Sequence, residues 1–337
     1  MGTTFEVTVY RPRSERSQTT ADLEAAHAEV VRIDHLMSLY RADSELMSLN
    51  GRAGEGPVPI SELTFEVLEA AAHYASLSDG AIDITVQPLV DLWGFYRIEQ
   101  ASIPPLDKIE AVLQGVGMDR MSLVSSGRTA ALESGTALDL GSIAKGYAVD
   151  RALAVLRTRG VPSALVDLGG NIGVLGQAPG GRPWIVGIRH PRREGLIGEV
   201  RFRIGAVATS GDYDRYFEVD GKRYSHLLDP RTGRPVEGVY SLTVVAPNAT
   251  AADALSTAAF VLGPERGMAL LAHCEGVEGL LVEPSGRPED LAVRMTPDST
   301  LGGEVAFVLD LEPSGTIRPR QEPADNSPAP DCLFPLK

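Results

Sequence analysis

The stretch Leu138-Asp139-Leu140-Gly141-Ser142-Ile143-Ala144-Lys145-Gly146-Tyr147-Ala148-Val149-Asp150 constrains this chain more than any other. It reads as the end of a strand, a tight glycine-containing turn and the first turns of a helix. Apolar residues at Ile143, Ala144, Tyr147, Ala148, Ala152, Leu153 and Leu156 keep helical spacing, and Gly160 marks the expected end. A helix N-terminus presents unpaired N–H groups and partial positive charge, which favours anions. Asp139, Ser142 and Lys145 bring one carboxylate, one hydroxyl and one ammonium into that turn. The set suits a phosphate with a metal ion beside it. A purely structural, capped junction would use the same residues, so other segments must decide.

Around this junction the elements follow in mixed order. An alternating strand opens the chain from Met1 to Tyr10. A helix is expected from Thr20 or Asp22 to about Leu39, with Leu23, Ala26, Val30, Ile33 and Met37 on its apolar face. Ser61 is a good N-cap for a second helix ending before Asp79-Gly80. Ala81 to Val86 alternates like a strand, and Pro104-Pro105 opens a short helix to about Leu113. Three short β runs are expected between Met121 and Leu140. Further strands are expected at 163–168, 172–175, 184–189, 199–204, 206–210, 214–219 and 239–246. Helices at 250–261 and 264–272 precede a last pair of strands near Gly279 and Val305. No βαβ cycle repeats, which argues for an α+β fold with mixed, largely antiparallel sheets and packed helices. Residues 1–311 are expected to form one compact unit. Residues 312–337, rich in proline and polar side chains, are expected to form a mobile tail.

Composition narrows the function classes. The formal net charge is −14 and no Lys/Arg cluster stands out, which disfavours nucleic acid as a partner. No apolar run reaches the roughly 20 residues needed to cross a bilayer. No basic, then apolar, leader precedes the opening strand, so a cytoplasmic location is the expectation for the chain as it stands. Export or membrane anchoring stays open for a trimmed form. Cys274 and Cys332 match no metal spacing. A bridge between them is open, with free thiols the expectation.

Three other constellations could carry chemistry. His226 precedes the Asp229-Pro230-Arg231-Thr232-Gly233 turn, and a His with a carboxylate three residues on can be a general base or a structural pair. Asp253 and Thr257, four residues apart, share a helical face and offer hard oxygen donors of the kind Mg²⁺ accepts, although helix caps use the same residues. In Asp167-Leu168-Gly169-Gly170-Asn171 the glycines permit close approach of backbone to a ligand. Neither a Gly-x-Gly-x-x-Gly fingerprint nor a Walker motif occurs, which disfavours Rossmann and P-loop nucleotide sites.

Together these segments resemble the ApbE family, the FAD:protein FMN transferases, from Met1 to about Gly263. The resemblance rests on Asp79-Gly80-Ala81-Ile82-Asp83-Ile84-Thr85, Asp139 to Tyr147, Asp167 to Asn171, Ala208-Thr209-Ser210-Gly211-Asp212-Tyr213, Ser225 to Pro230, and Ala252 to Thr257, in family order. It implies that Met1, Tyr40, Ala81, Ile82, Asp83, Asp139, Lys145 and Leu228 line an FAD pocket. It implies that Ser142 (through its backbone carbonyl), Asp253 and Thr257 hold Mg²⁺, and that His226 takes part in catalysis. Some family members have Asp where this chain has Ser256, so its metal shell is expected to lean more on water. An aromatic at Tyr40 favours transfer over hydrolysis.

The resemblance further implies that a Ser/Thr hydroxyl of a partner flavoprotein attacks the riboflavin-side phosphorus of FAD, with AMP as leaving group. His226, oriented by Asp229, would take the hydroxyl proton, and the carboxylate is expected to raise the imidazole pKa. Two rival readings stay open: a Mg²⁺-dependent FAD pyrophosphatase, and a non-catalytic FAD-binding or storage protein.

Overall fold

The computed structural model describes residues 2–285, 290–296, 305–309, 316–317 and 332–334. Its central sheet has eight strands that lie side by side in the order they occur in the chain: Phe5–Val9, Ala164–Leu168, Asn171–Leu175, Ala206–Gly211, Ser241–Ala246, Glu278–Pro284, Leu291–Met295 and Thr316–Ile317. Every neighbouring pair is antiparallel except the last, Leu291–Met295 with Thr316–Ile317. The α+β reading with largely antiparallel sheets therefore holds.

Alternation along the strands sorts side chains to two faces. Ala164, Val166, Ala206, Ala208, Leu242 and Val244 point to one apolar core, under the helices Arg16–Met37, Ala144–Thr158 and Ala249–His273. Ile172, Val174, Val207, Val245, Leu280 and Val282 point to a second, closed by a three-stranded sheet of Trp184–Arg189, Leu196–Phe202 and Val305–Leu309. Ser241–Ala246 is buried along its whole length because both its faces are covered.

Several sequence expectations are corrected. Ala81 to Val86 is not a strand: the Asp83 carboxylate accepts from the Thr85 amide and hydroxyl at 2.7 and 2.6 Å, closing a turn. Two strands, Met121–Val124 and Thr129–Leu132, stand where three were expected. Leu138 to Leu140 is not a strand: the Leu138 backbone pairs with the Asn50 side-chain amide instead of a neighbouring strand. Asn50 Oδ1 accepts from the Leu138 amide at 2.8 Å, and Nδ2 donates to the Leu138 carbonyl at 2.9 Å.

The first helix starts at Arg16, which leaves Asp22 inside it, buried and paired with Arg159 at 2.6 Å and Arg11 at 3.3 Å. Ser61 caps Glu62–Leu77 as expected, accepting from the Thr64 amide. The helical span Ala249–His273 breaks at Gly263, whose φ of 80° is left-handed, so two helices meet there. The strands near Gly279 and Val305 do not pair with each other, since they belong to different sheets, and Leu291–Met295 lies between them in the chain.

The cysteines are not free. Cys274 and Cys332 form a disulfide, closing a separation of 58 residues and seating Phe334 beside His73. Within 312–337, only Thr316-Ile317 and Cys332-Leu333-Phe334 lie among the described residues. Among the described residues, no helix is long and apolar enough to cross a membrane.

Candidate active site

One cavity of about 490 Å³ opens at the end of the central sheet where the Gly169-Gly170 turn, the start of the Ala144–Thr158 helix and the segment after Gly211 converge. Tyr40, Ala81, Ile82, Asp83, Asp139, Ser142, Lys145, His226, Leu228, Asp253 and Thr257 all line it. They come from segments more than 200 positions apart, so only the tertiary fold gathers them. Met1 lies outside the described residues. Asp229 does not line the cavity.

Two helices meeting here cap each other. No side chain at its own N-cap covers the start of Ala144–Thr158. Instead Asp253, from the other helix, accepts the Gly146 amide on Oδ2 at 2.9 Å. In return Asp150 accepts the Ala249 and Thr250 amides, both at 2.8 Å, and the Thr250 hydroxyl at 2.6 Å. A carboxylate at a helix start satisfies free donors and meets positive partial charge. Burial nevertheless pushes Asp150 up to about 6.

The second Asp253 oxygen faces a cation. Lys145 Nζ donates to Asp253 Oδ1 at 3.2 Å and to the Gly141 carbonyl at 2.9 Å. One turn further along, Thr257 Oγ1 lies 3.2 Å from Ser210 Oγ, which is also 3.0 Å from Ser256 Oγ. A carboxylate and a carbonyl oxygen thus flank the Lys145 ammonium, and the Thr257 hydroxyl lines the same cavity one turn along the helix. Among the described residues no group of three or more His, Cys, Asp or Glu could hold a metal unaided.

Asp139 is held in place rather than loose. Its carboxylate accepts the Gly141 amide at 2.7 Å and the Tyr96 hydroxyl at 2.5 Å, and its amide donates to the Ile84 carbonyl at 2.7 Å. Burial and the Asp139 charge push the Tyr96 hydroxyl pKa up. Tyr40 is 56% exposed at the mouth, edge-on to Tyr96 at 6.4 Å.

His226 departs from expectation. Its Nδ1 lies 3.2 Å from the Arg215 carbonyl oxygen. The Asp229 carboxylate instead accepts from the Arg231 amide, Nε and Nη2 at 2.8–2.9 Å, because the tight turn points Asp229 along its own loop. The imidazole pKa is lowered to about 4 rather than raised; burial is the main cause, followed by the positive charges of Arg215 and Lys145. The ring is neutral across neutral pH.

Sequence reasoning passed over Tyr96, Asn171, Ser210, Asp214 and Arg215, which also line the cavity. All but Tyr96 sit inside or just beside a segment already singled out. Asn171 and Ser210 face the cavity through the register of their strands, whereas Tyr96, Asp214 and Arg215 sit in turns that the assembled fold brings to it.

The fold and site define an α+β protein with a partly open cavity that pairs an aromatic mouth with an oxygen-rich, cation-holding floor. The chain belongs to the ApbE family, which it matches over residues 1–281. It is 37% identical over 306 residues to the FAD:protein FMN transferase of Treponema pallidum and 32% identical over 293 residues to that of Escherichia coli K12. Each alignment covers 85% of this chain and 83% of the relative. Among solved structures, the ApbE protein of Thermotoga maritima superposes with a TM-score of 0.78 at 34% identity, over 88% of this chain and 94% of the other. The apo flavinyl transferase ApbE of Pseudomonas stutzeri gives 0.76 at 34% identity, over 88% and 92%.

Proposed function

We propose that this protein transfers FMN from FAD to a Ser/Thr hydroxyl of a partner flavoprotein, with release of AMP. The observation that carries the reading is one cavity that brings Tyr40, Lys145, Asp253, Thr257 and His226 together in a chain of this family. Tyr40 at the mouth offers an aromatic face to a flavin. Ala81, Ile82 and Leu228 supply buried apolar wall, and Asp83 and Asp139 are fixed polar edges.

The oxygen set at Asp253, Thr257 and the Gly141-Ser142 turn fits Mg²⁺, which takes one or two carboxylates and completes its shell with water and substrate phosphate. The Lys145 ammonium, seated on Asp253 and the Gly141 carbonyl, supports a cation site at that place. Mg²⁺ there would neutralise charge on the pyrophosphate. Lys145 supplies a positive charge that this chain carries itself.

In the transfer, the acceptor oxygen bonds to the riboflavin-side phosphorus as the bond from that phosphorus to the bridging oxygen breaks. AMP leaves with the electron pair. His226, neutral and lining the cavity, takes the hydroxyl proton on Nε2, since Nδ1 faces a carbonyl.

The test is incubation with FAD, Mg²⁺ and a candidate acceptor flavoprotein, read by intact mass. A gain of one FMN less water on the acceptor, with stoichiometric AMP, is expected. AMP without a mass gain would make the protein a pyrophosphatase, and bound FAD with neither product would make it a flavin carrier.

A further inference from the structure

Strands Tyr216–Val219 and Lys222–Ser225 form a hairpin whose turn residues Asp220 and Gly221 have φ of 52° and 74°. Left-handed backbone at both central positions matches the twist of a tight hairpin. Tyr216 pairs with Ser225, so Arg215 and His226 are the next opposed pair at the open end. The ribbon stands on stacked rings: Phe217 on Tyr224 at 5.3 Å, Tyr224 on Trp93 at 6.1 Å, and Trp93 on Phe95 at 6.2 Å.

At that open end Arg215 reaches two ways. Its carbonyl accepts the His226 amide at 2.9 Å and faces His226 Nδ1 at 3.2 Å. Its Nη1 donates to the Tyr40 hydroxyl at 2.8 Å, with the guanidinium carbon 6.0 Å from the Tyr40 ring centre.

We propose that Arg215 is a positioning residue for the transfer reaction, its main chain setting the tautomer of His226 and its guanidinium tying Tyr40 across the cavity mouth. A carbonyl oxygen can only accept, so the hydrogen sits on Nδ1 and the lone pair on Nε2. The two charges that bear on the ring are both cations, Arg215 and Lys145, and both oppose its protonation. The inference rests on the transferase reading, because it assigns His226 the proton-accepting role.

Nitrogen-15 NMR of histidine-labelled, FAD-free protein tests it, with the His226 signal assigned by its loss in His226→Gln. In the wild type, Nδ1 is expected to be pyrrole-like and Nε2 pyridine-like, with the ring neutral at about pH 6. Arg215→Gln is expected to raise the titration midpoint by about one unit, a tenfold gain in proton affinity. Arg215→Lys keeps the charge and should stay near the wild-type midpoint. Both variants lose the Tyr40 tie and should weaken FAD binding several-fold in a fluorescence titration. An Nε2–H tautomer, an unmoved midpoint in Arg215→Gln, or wild-type FAD affinity in both variants would overturn the proposal. Failure of the transferase reading would look different: the NMR and FAD results would hold while wild-type protein never loads FMN onto an acceptor.

Discussion

Lys145 and Asp253 meet at the cavity floor, where Nζ lies 3.2 Å from Oδ1 while the Gly146 amide holds Oδ2 at 2.9 Å. The carboxylate thus serves a helix start with one oxygen and a cation with the other. A divalent ion bound there would compete with the ammonium for Oδ1. Lys145→Met should therefore tighten Mg²⁺ binding by several-fold to about tenfold, the scale of a partly exposed ion pair worth about 1 kcal/mol. FAD affinity should fall in the same variant. Calorimetric titration with Mg²⁺, then with FAD, separates the two effects. Asp253→Asn should lose both Mg²⁺ binding and transfer, and a variant with wild-type Mg²⁺ dependence would remove the metal assignment.

Gly146 is where the two helices touch. A Cβ there would run into the Ala249 carbonyl and press on Asp253 Cβ. Both neighbours are held by cross-capping, so neither yields cheaply. Gly146→Ala is expected to cost about 1–3 kcal/mol of stability and to weaken Mg²⁺ binding in parallel. Thermal unfolding and Mg²⁺ titration check this, and unchanged values in both would show that the helices can part without harm.

Asp150 closes the other half of the cross-cap. Asp150→Ala removes the acceptor for two amides and a hydroxyl and should lower stability by about 1–2 kcal/mol. Denaturant unfolding measures the loss. A variant as stable as the wild type would mean that water takes over the cap.

The pH dependence of His226 has a definite sign. Its pKa in the folded protein, about 4, lies below the ordinary histidine value of about 6.5, so the unfolded chain binds the proton more readily. The neutral ring's share of stability is fully present above about 6.5 and is lost as pH falls toward 4. Transfer should accordingly show no His226-dependent acid limb between pH 6 and 8. His226→Ala should slow transfer by about 100- to 10,000-fold with FAD still bound, and should flatten the stability slope between pH 4 and 6.5 relative to wild type. A wild-type rate that climbs through pH 6 to 7 would contradict a half-buried imidazole flanked by two cations.

The disulfide ties residue 332 back to Cys274 across 58 positions. Cys332→Ser is expected to cost about 2–4 kcal/mol, chiefly by freeing the unfolded chain. Neither cysteine lines the cavity, so FAD affinity should hold. Unfolding curves with and without reductant check it: wild type should lose stability in reductant and the variant should not respond.

Local patterns carried much of the fold. The spacing of Ala26, Val30, Ile33 and Met37 marked a buried helix face, and all four are buried. Ser61 marked a helix start because its hydroxyl satisfies a free amide within three residues. These signals are short-range, so a sequence displays them. Ala81 to Val86 shows the limit: its alternation looks like a strand, but the Asp83–Thr85 hydrogen bonds compete locally and win. Leu138 fails differently, since its strand-like pairing comes from Asn50, 88 positions away.

By itself the sequence determined the residue types of the cavity and the elements that carry them, because caps, glycine turns and apolar periodicity act over a few residues. Only the tertiary structure decided their partners. Asp229, three residues from His226, turns to Arg231, whereas Arg215, eleven residues away, reaches His226 because a hairpin folds the chain back on itself. The imidazole pKa reversed its expected direction for the same reason: desolvation and nearby cations are properties of the assembled cavity, and neighbours along the chain do not set them.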